Sequence, residues 1–314
     1  MSRPPTFAPP PRARVYRLET ARGGFAVVDA PAATERVRGT ALLLPGYTGS
    51  KEDFGPLHEI LNAAGYRTVA VDGRGQHESA GPKDDQSAYA QAELAADVHA
   101  QAAALGTPLH LLGHSLGGQI ARAAVLDDHT PFRSLTLMSS GPAEISAAQQ
   151  ERVRLLGSVL GEIDMAEVWE AVQAFEAQEE GEPGADEGVL DPGPGRQQPE
   201  AADPDRFRRR WLLTSPAQLL ATGQQLCTEP DRVGELARIP LPLHVISGAT
   251  DGIWPVPLLD EMALRLGARR TIVPGADHSP NTDRPKPTAT ALAAFWDEVD
   301  PHEGEEAHSY EEKG

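Results

Sequence analysis

Six short apolar runs alternate with helix-like stretches along most of this chain, and that alternation limits the folds open to it. The runs are 41–44, 68–71, 109–112, 134–138, 243–247 and 270–273. Helical periodicity covers about 53–64, 87–105, 116–127, 256–267 and 287–298. Short runs without polar alternation suit strands buried on both faces. Strands that alternate with helices predict an α/β fold: a mostly parallel sheet with helices on both faces. Ahead of them, 15–19 and 25–28 flank Ala21-Arg22-Gly23-Gly24, a hairpin signal. The hairpin brings the expected sheet to about eight strands.

The alternation breaks between 144 and 240. Val153, Leu156, Leu160, Val168, Val172 and Phe175 fall on apolar positions of one or two amphipathic helices over 146–178. Residues 179–205 are rich in Pro, Gly, Asp and Glu and predict a flexible acidic loop. Residues 211–226 read as helical again. The expected organisation is a core of 15–143 and 241–298, with 144–240 inserted as a helical cap. The proline-rich arm 1–14 and the acidic tail 299–314 are expected to be disordered.

Composition narrows the partners. The chain has 314 residues and a formal charge of −18, from 28 basic and 46 acidic side chains. Such a surface repels nucleic-acid phosphates and anionic lipid, so neither is expected as a partner. Cys227 is the only cysteine, which rules out an internal disulfide. The N-terminus lacks the apolar segment of a secretory signal, and no apolar run is long enough to insert in a membrane. A cytoplasmic protein acting on a small molecule is the expectation, with its oligomeric state open.

The chemistry centres on Gly113-His114-Ser115-Leu116-Gly117, set between an apolar run and a helical one. Gly-x-Ser-x-Gly between strand and helix reads as a nucleophile elbow, a tight turn that presents the Ser115 hydroxyl above a sheet. A serine hydroxyl needs a base, and the base needs a carboxylate. Among ten histidines, His278 lies in Gly275-Ala276-Asp277-His278-Ser279, straight after the last strand. Parallel sheets present functional groups at such strand ends. Asp251 follows the preceding strand in the same way, and Glu144, after 134–138, competes for the acid role. His77 is a further candidate to line the site, and His244 a minor one. Leu44-Pro45-Gly46-Tyr47 supplies a turn after the first long strand. The backbone N–H groups of Tyr47 and Leu116 would form an oxyanion hole. Trp254, Ile253 and Trp211 are candidate cleft walls. The sequence has no His-Glu-x-x-His, no Cys/His cluster and no phosphate-binding Gly-rich loop, so no metal or cofactor is expected.

Together these motifs resemble the α/β-hydrolase superfamily over about 15–298, most closely its bacterial esterase and lipase-like members with a helical cap. Asp72-Gly73-Arg74-Gly75-Gln76-His77-Glu78-Ser79 is similar to the family's Asp-x-Arg-Gly-His-Gly-x-Ser stretch, with Gln76-His77 in place of His-Gly. Pro45 replaces the histidine of the usual His-Gly pair. The resemblance implies a serine hydrolase that cleaves carboxylic esters through an acyl-enzyme. The same triad would also serve C–C bond, amide or thioester hydrolysis, and a non-catalytic ligand-binding member of the fold is a further alternative.

Overall fold

A computed structural model describes residues 3–181 and 203–300. Among them eight strands form one sheet: β1 (Arg14–Thr20), β2 (Gly23–Ala30), β3 (Gly39–Leu44), β4 (Tyr66–Val71), β5 (Leu109–His114), β6 (Phe132–Met138), β7 (Leu243–Gly248) and β8 (Arg269–Val273). Their order is β1-β2-β4-β3-β5-β6-β7-β8. The hairpin β1–β2 and the β2–β4 pair are antiparallel, and every later pair is parallel.

Side chains alternate across the sheet, as the two-residue strand period requires. Leu42, Leu44, Leu109, Leu111, Leu135, Leu137 and Val245 enter one apolar layer. Ala41, Leu43, Leu112, Met138 and Ile246 enter the other. Helices α1 (Gly55–Ala63), α2 (Gln91–Leu105) and α3 (Leu116–Asp127) follow β3, β4 and β5 in the chain. The block between β6 and β7 holds α4 (Ala147–Leu160), α5 (Met165–Gly181), α6 (Pro204–Leu213), α7 (Pro216–Thr228) and α8 (Val233–Leu236). Then come α9 (Val256–Leu266), α10 (Pro280–Asp283) and α11 (Pro285–Val299). Helices α2, α3 and α9 cover the first layer through Val98, Val125 and Met262. Helices α1 and α11 cover the second through Leu57, Leu61 and Trp296. Burying each such side chain contributes about 2 kcal/mol before entropy is counted.

The structure differs from expectation in three places, two of them in the block between β6 and β7. The single helix expected over 211–226 is two helices, because Pro216 has no N–H to continue α6. Ser215 starts α7 instead, its hydroxyl accepting from the Gln218 N–H at 3.3 Å. Helix α6 begins inside the stretch expected as loop, where Asp203 accepts from the Asp205 N–H. Of that loop, 182–202 lies outside the described residues, as does 301–314 of the tail. Residues 3–13, expected as a free arm, make contacts: the Phe7 ring meets Phe207 at 5.0 Å and lies under Arg210. The half-buried Phe7 ring packs edge-on to one aromatic and faces a guanidinium of the arginine-rich α6, both favourable contacts.

Leu160, Val168, Trp169, Trp211 and Leu219 give the block a small apolar core, joined by Leu156 and Val172. Val153 packs on the main core instead, and the Phe175 side chain lies outside what is described. Arg122 of α3 ties both ends of the block to the sheet. Its guanidinium donates to Gly141 O and Pro142 O where the chain leaves β6, and to Glu229 Oε1 at 2.6 Å where α7 ends. Among the described residues no helix is long and apolar enough to cross a membrane.

Candidate functional site

Strand β5 ends at His114, and the chain turns sharply into α3 at Ser115. Its φ of 53° and ψ of −120° lie in a region that costs a non-glycine residue strain. The turn is possible because its flanks lack side chains. A Cβ on Gly113 would collide with the Gly117 carbonyl, and one on Gly117 with the carbonyl of Leu44. The Ser115 N–H donates to Met138 O at 2.9 Å, fastening the elbow to β6. Leu116 is the first residue of α3, so its N–H is one of the donors a helix leaves unpaired.

Strands β7 and β8 deliver the other two residues. Their following loops are laced together: the Ala249 N–H donates to Val273 O and Ala276 O, at 3.1 and 3.0 Å. This brings Asp251 to His278, with both carboxylate oxygens 3.0 Å from Nδ1. The Asp251 side chain is fully buried, and the imidazole is 23% exposed. Asp251 Oδ1 also accepts from the N–H groups of Ile253 (2.8 Å) and Trp254 (3.1 Å), so one oxygen shapes the loop and faces the imidazole. A carboxylate can only accept, so Nδ1 carries the proton and Nε2 keeps a free lone pair. Glu144, the competing acid, is exposed.

His114, next to the nucleophile candidate, holds His278 from behind. Its Nε2–H donates to the His278 carbonyl at 2.9 Å, and the two rings are 5.1 Å apart. Burial, then the neighbouring His278, lowers its pKa to about 4, so it stays neutral.

The turn after β3 reaches the elbow. A Cβ on Gly46 would lie 3.3 Å from Ser115 Cβ. Tyr47 follows, and its Oη donates to Leu219 O of α7 at 2.9 Å; burial raises its pKa. Gly46, the residue before Tyr47, thus lies against Ser115, and Leu116 follows Ser115 in the chain.

The candidate walls sit less as expected. Trp254 is fully buried, with Nε1 donating to Ala143 O and Glu144 O at 3.1 and 3.2 Å. Its ring centroid is 6.2 Å from that of His278, so it backs the histidine rather than facing a cleft. The ring fills space over Gly141, where no Cβ intervenes. Ile253 is half-buried against the main core. Trp211 lies in the block, borders a cavity of about 10 Å³ with Thr48, Trp169 and Leu219, and donates to Met165 O. A larger cavity, about 310 Å³, lies elsewhere, among Phe7, Lys51, Glu52, His58 and His77. Neither cavity is lined by Ser115, Asp251 or His278.

Glu52, Asp72 and His77 present ligand atoms within 4.8 Å of one another. The buried Lys51 ammonium already occupies the centre of this group, at 2.8 Å from each of Asp72, Glu52 and Glu78. Burial alone would lower its pKa, but Asp72 and Glu52 raise it above the usual lysine range. A metal ion there would have to displace a fixed positive charge, so the donor set does not suit one. His77, a candidate to line the site, belongs to this cluster, and its N–H donates to Thr214 Oγ1. His244 lies within β7, with Nε2 2.9 Å from Thr271 Oγ1.

Sequence reasoning assigned Gln76 no contact. Its buried carboxamide donates to Gly46 O at 2.9 Å. The available signal was its place in the Asp-x-Arg-Gly-His-like stretch.

Comparison with known proteins fits this geometry. A family model described as the alpha/beta hydrolase family matches residues 41–291. The chain belongs to that family. It is 37% identical over 114 residues to a protein of Variovorax paradoxus provisionally described as a carbamate hydrolase, covering 36% of this chain and 41% of that relative. It is 29% identical over 236 residues to the pimeloyl-(acyl-carrier protein) methyl ester esterase of Aeromonas hydrophila, covering 71% of this chain and 82% of the relative. Among solved structures, a thermophilic esterase of Thermogutta terrifontis superposes with a TM-score of 0.69 at 19% identity, over 92% of this chain and all of that one.

Proposed function

We propose that this protein is a serine hydrolase that cleaves a carboxylic ester through an acyl-enzyme. The observation behind this reading is the Asp251–His278 pair, assembled from two strand ends beside the strained Ser115 turn. Ser115 Oγ attacks the ester carbonyl while His278 Nε2 takes its proton. Asp251 holds the imidazole in the required tautomer and stabilises the imidazolium. The Tyr47 and Leu116 N–H groups hold the oxyanion. His278 then protonates the leaving alcohol, and water repeats the sequence on the acyl-enzyme. The likeness to a methyl ester esterase supports an ester as substrate. Helices α4–α7 act as the cap that selects it. A small neutral ester is the kind of partner such a site takes, without metal or cofactor.

A fluorophosphonate probe tests the reading. It should label Ser115 once per chain, and Ser115→Ala should lose both label and hydrolysis of p-nitrophenyl esters. Labelling of another residue, or turnover that survives in Ser115→Ala, would overturn it.

A further inference from the structure

Gln76 is 5% exposed, and both ends of its carboxamide are committed. Nε2 donates to Gly46 O at 2.9 Å, and Oε1 accepts from the Gly73 N–H at 3.0 Å. The partners fix which end is which, because a carbonyl only accepts and an N–H only donates. The loop bearing Gln76 is itself anchored. Gln76 N–H donates to Gly73 O, Ser79 N–H to Gln76 O, and the Ser215 N–H to Gly75 O at 2.7 Å.

What Gln76 holds matters more than how it is held. Gly46 O belongs to the same planar unit as the Tyr47 N–H, and in a trans peptide the two point in opposite directions. Fixing the carbonyl therefore fixes the N–H. A second donor, the Gly49 N–H at 3.1 Å, reaches the same oxygen along the backbone turn. Gly46 in turn lies against Ser115.

We propose that Gln76 is a positioning residue, whose carboxamide sets the Gly46–Tyr47 peptide plane so that the Tyr47 N–H faces the oxyanion. This rests on the reading of Ser115 as an acylating nucleophile. Gln76 touches no reacting atom; it acts through the peptide. An oxyanion donor already in place costs no reorganisation during reaction, and one turned aside loses much of its benefit.

The test uses Gln76→Met, which keeps the shape without the donor, and Gln76→Glu, which sets a carboxylate oxygen against the Gly46 carbonyl. For p-nitrophenyl acetate, kcat should fall roughly 10- to 100-fold in both, with KM changed less than about threefold. Inhibition by an alkyl trifluoromethyl ketone, which forms an oxyanion on the serine, should weaken in parallel. Unchanged kcat in either folded variant overturns the proposal. So does a loss that follows the fall in Tm while affinity for the ketone is kept, since that is the mark of a purely structural side chain. Failure of the underlying reading looks different: the wild-type protein would then take no fluorophosphonate label at Ser115.

Discussion

At the residue scale, Asp251 shows how one side chain serves shape and chemistry together. Its Oδ1 closes the turn onto the N–H groups of Ile253 and Trp254 while facing His278. Asp251→Asn separates the roles. The amide oxygen still accepts from the turn, but its NH₂ group faces Nδ1 and forces the wrong tautomer. On the proposed mechanism, kcat should fall on the order of 10⁴-fold with Tm nearly unchanged. Glu144→Gln, at an exposed position, should turn over p-nitrophenyl esters at the wild-type rate. The opposite pattern in steady-state kinetics would move the acid role to Glu144. Ser115→Ala should likewise keep its stability, because the elbow is bonded through backbone groups.

At the element scale, the buried pair of Arg122 and Glu229 joins α3 to the end of α7. The guanidinium is almost fully enclosed, and burial lowers its pKa in spite of Glu229. Glu229→Ala would leave that charge without its partner and should cost on the order of 3 kcal/mol in urea unfolding. Adding Arg122→Met should recover part of the loss, and a double variant as unstable as Glu229→Ala would refute this account. Elements of this kind were legible to different degrees. The parallel strands could be read because burial on both faces leaves unbroken apolar runs, and the elbow because its glycines sit between two clear periodicities. The α6–α7 break was written in Ser215-Pro216, a cap followed by a helix-starting proline, but the apolar pattern runs through it. Trp254 was misplaced because side-chain size says nothing about direction. For Gln76 only its place in the Asp-x-Arg-Gly-His-like stretch was a signal; the contact itself was not legible, since its partner lies 30 residues away and a glutamine can serve many neighbours.

At the scale of the whole molecule, buried histidines link the fold to pH. Burial lowers the pKa of His58, His110 and His114 to about 4 and of His244 to about 3. The unfolded chain binds these protons at its ordinary value of 6.5, so it takes up more protons than the fold as pH falls. Their stabilising contribution is complete above pH 6.5, declines through the window below it, and is gone once the folded values are passed. Each is worth at most on the order of 3 to 5 kcal/mol, His244 the most. Tm should therefore fall steadily from pH 6.5 to 4.5 in a calorimetric series, and a level or rising Tm would contradict it. One contact links this scale back to the first. Tyr47 offers its backbone N–H to the proposed oxyanion while its phenol is bonded to Leu219 in α7. The helices proposed as the cap are thus tied to the turn proposed to hold the oxyanion. On the proposed reading, this bond makes the placing of the oxyanion turn depend on how α7 is seated. Exchanging this block for a relative's would then alter the turnover of acetate esters too small to touch it, and specificity and speed would be inherited together.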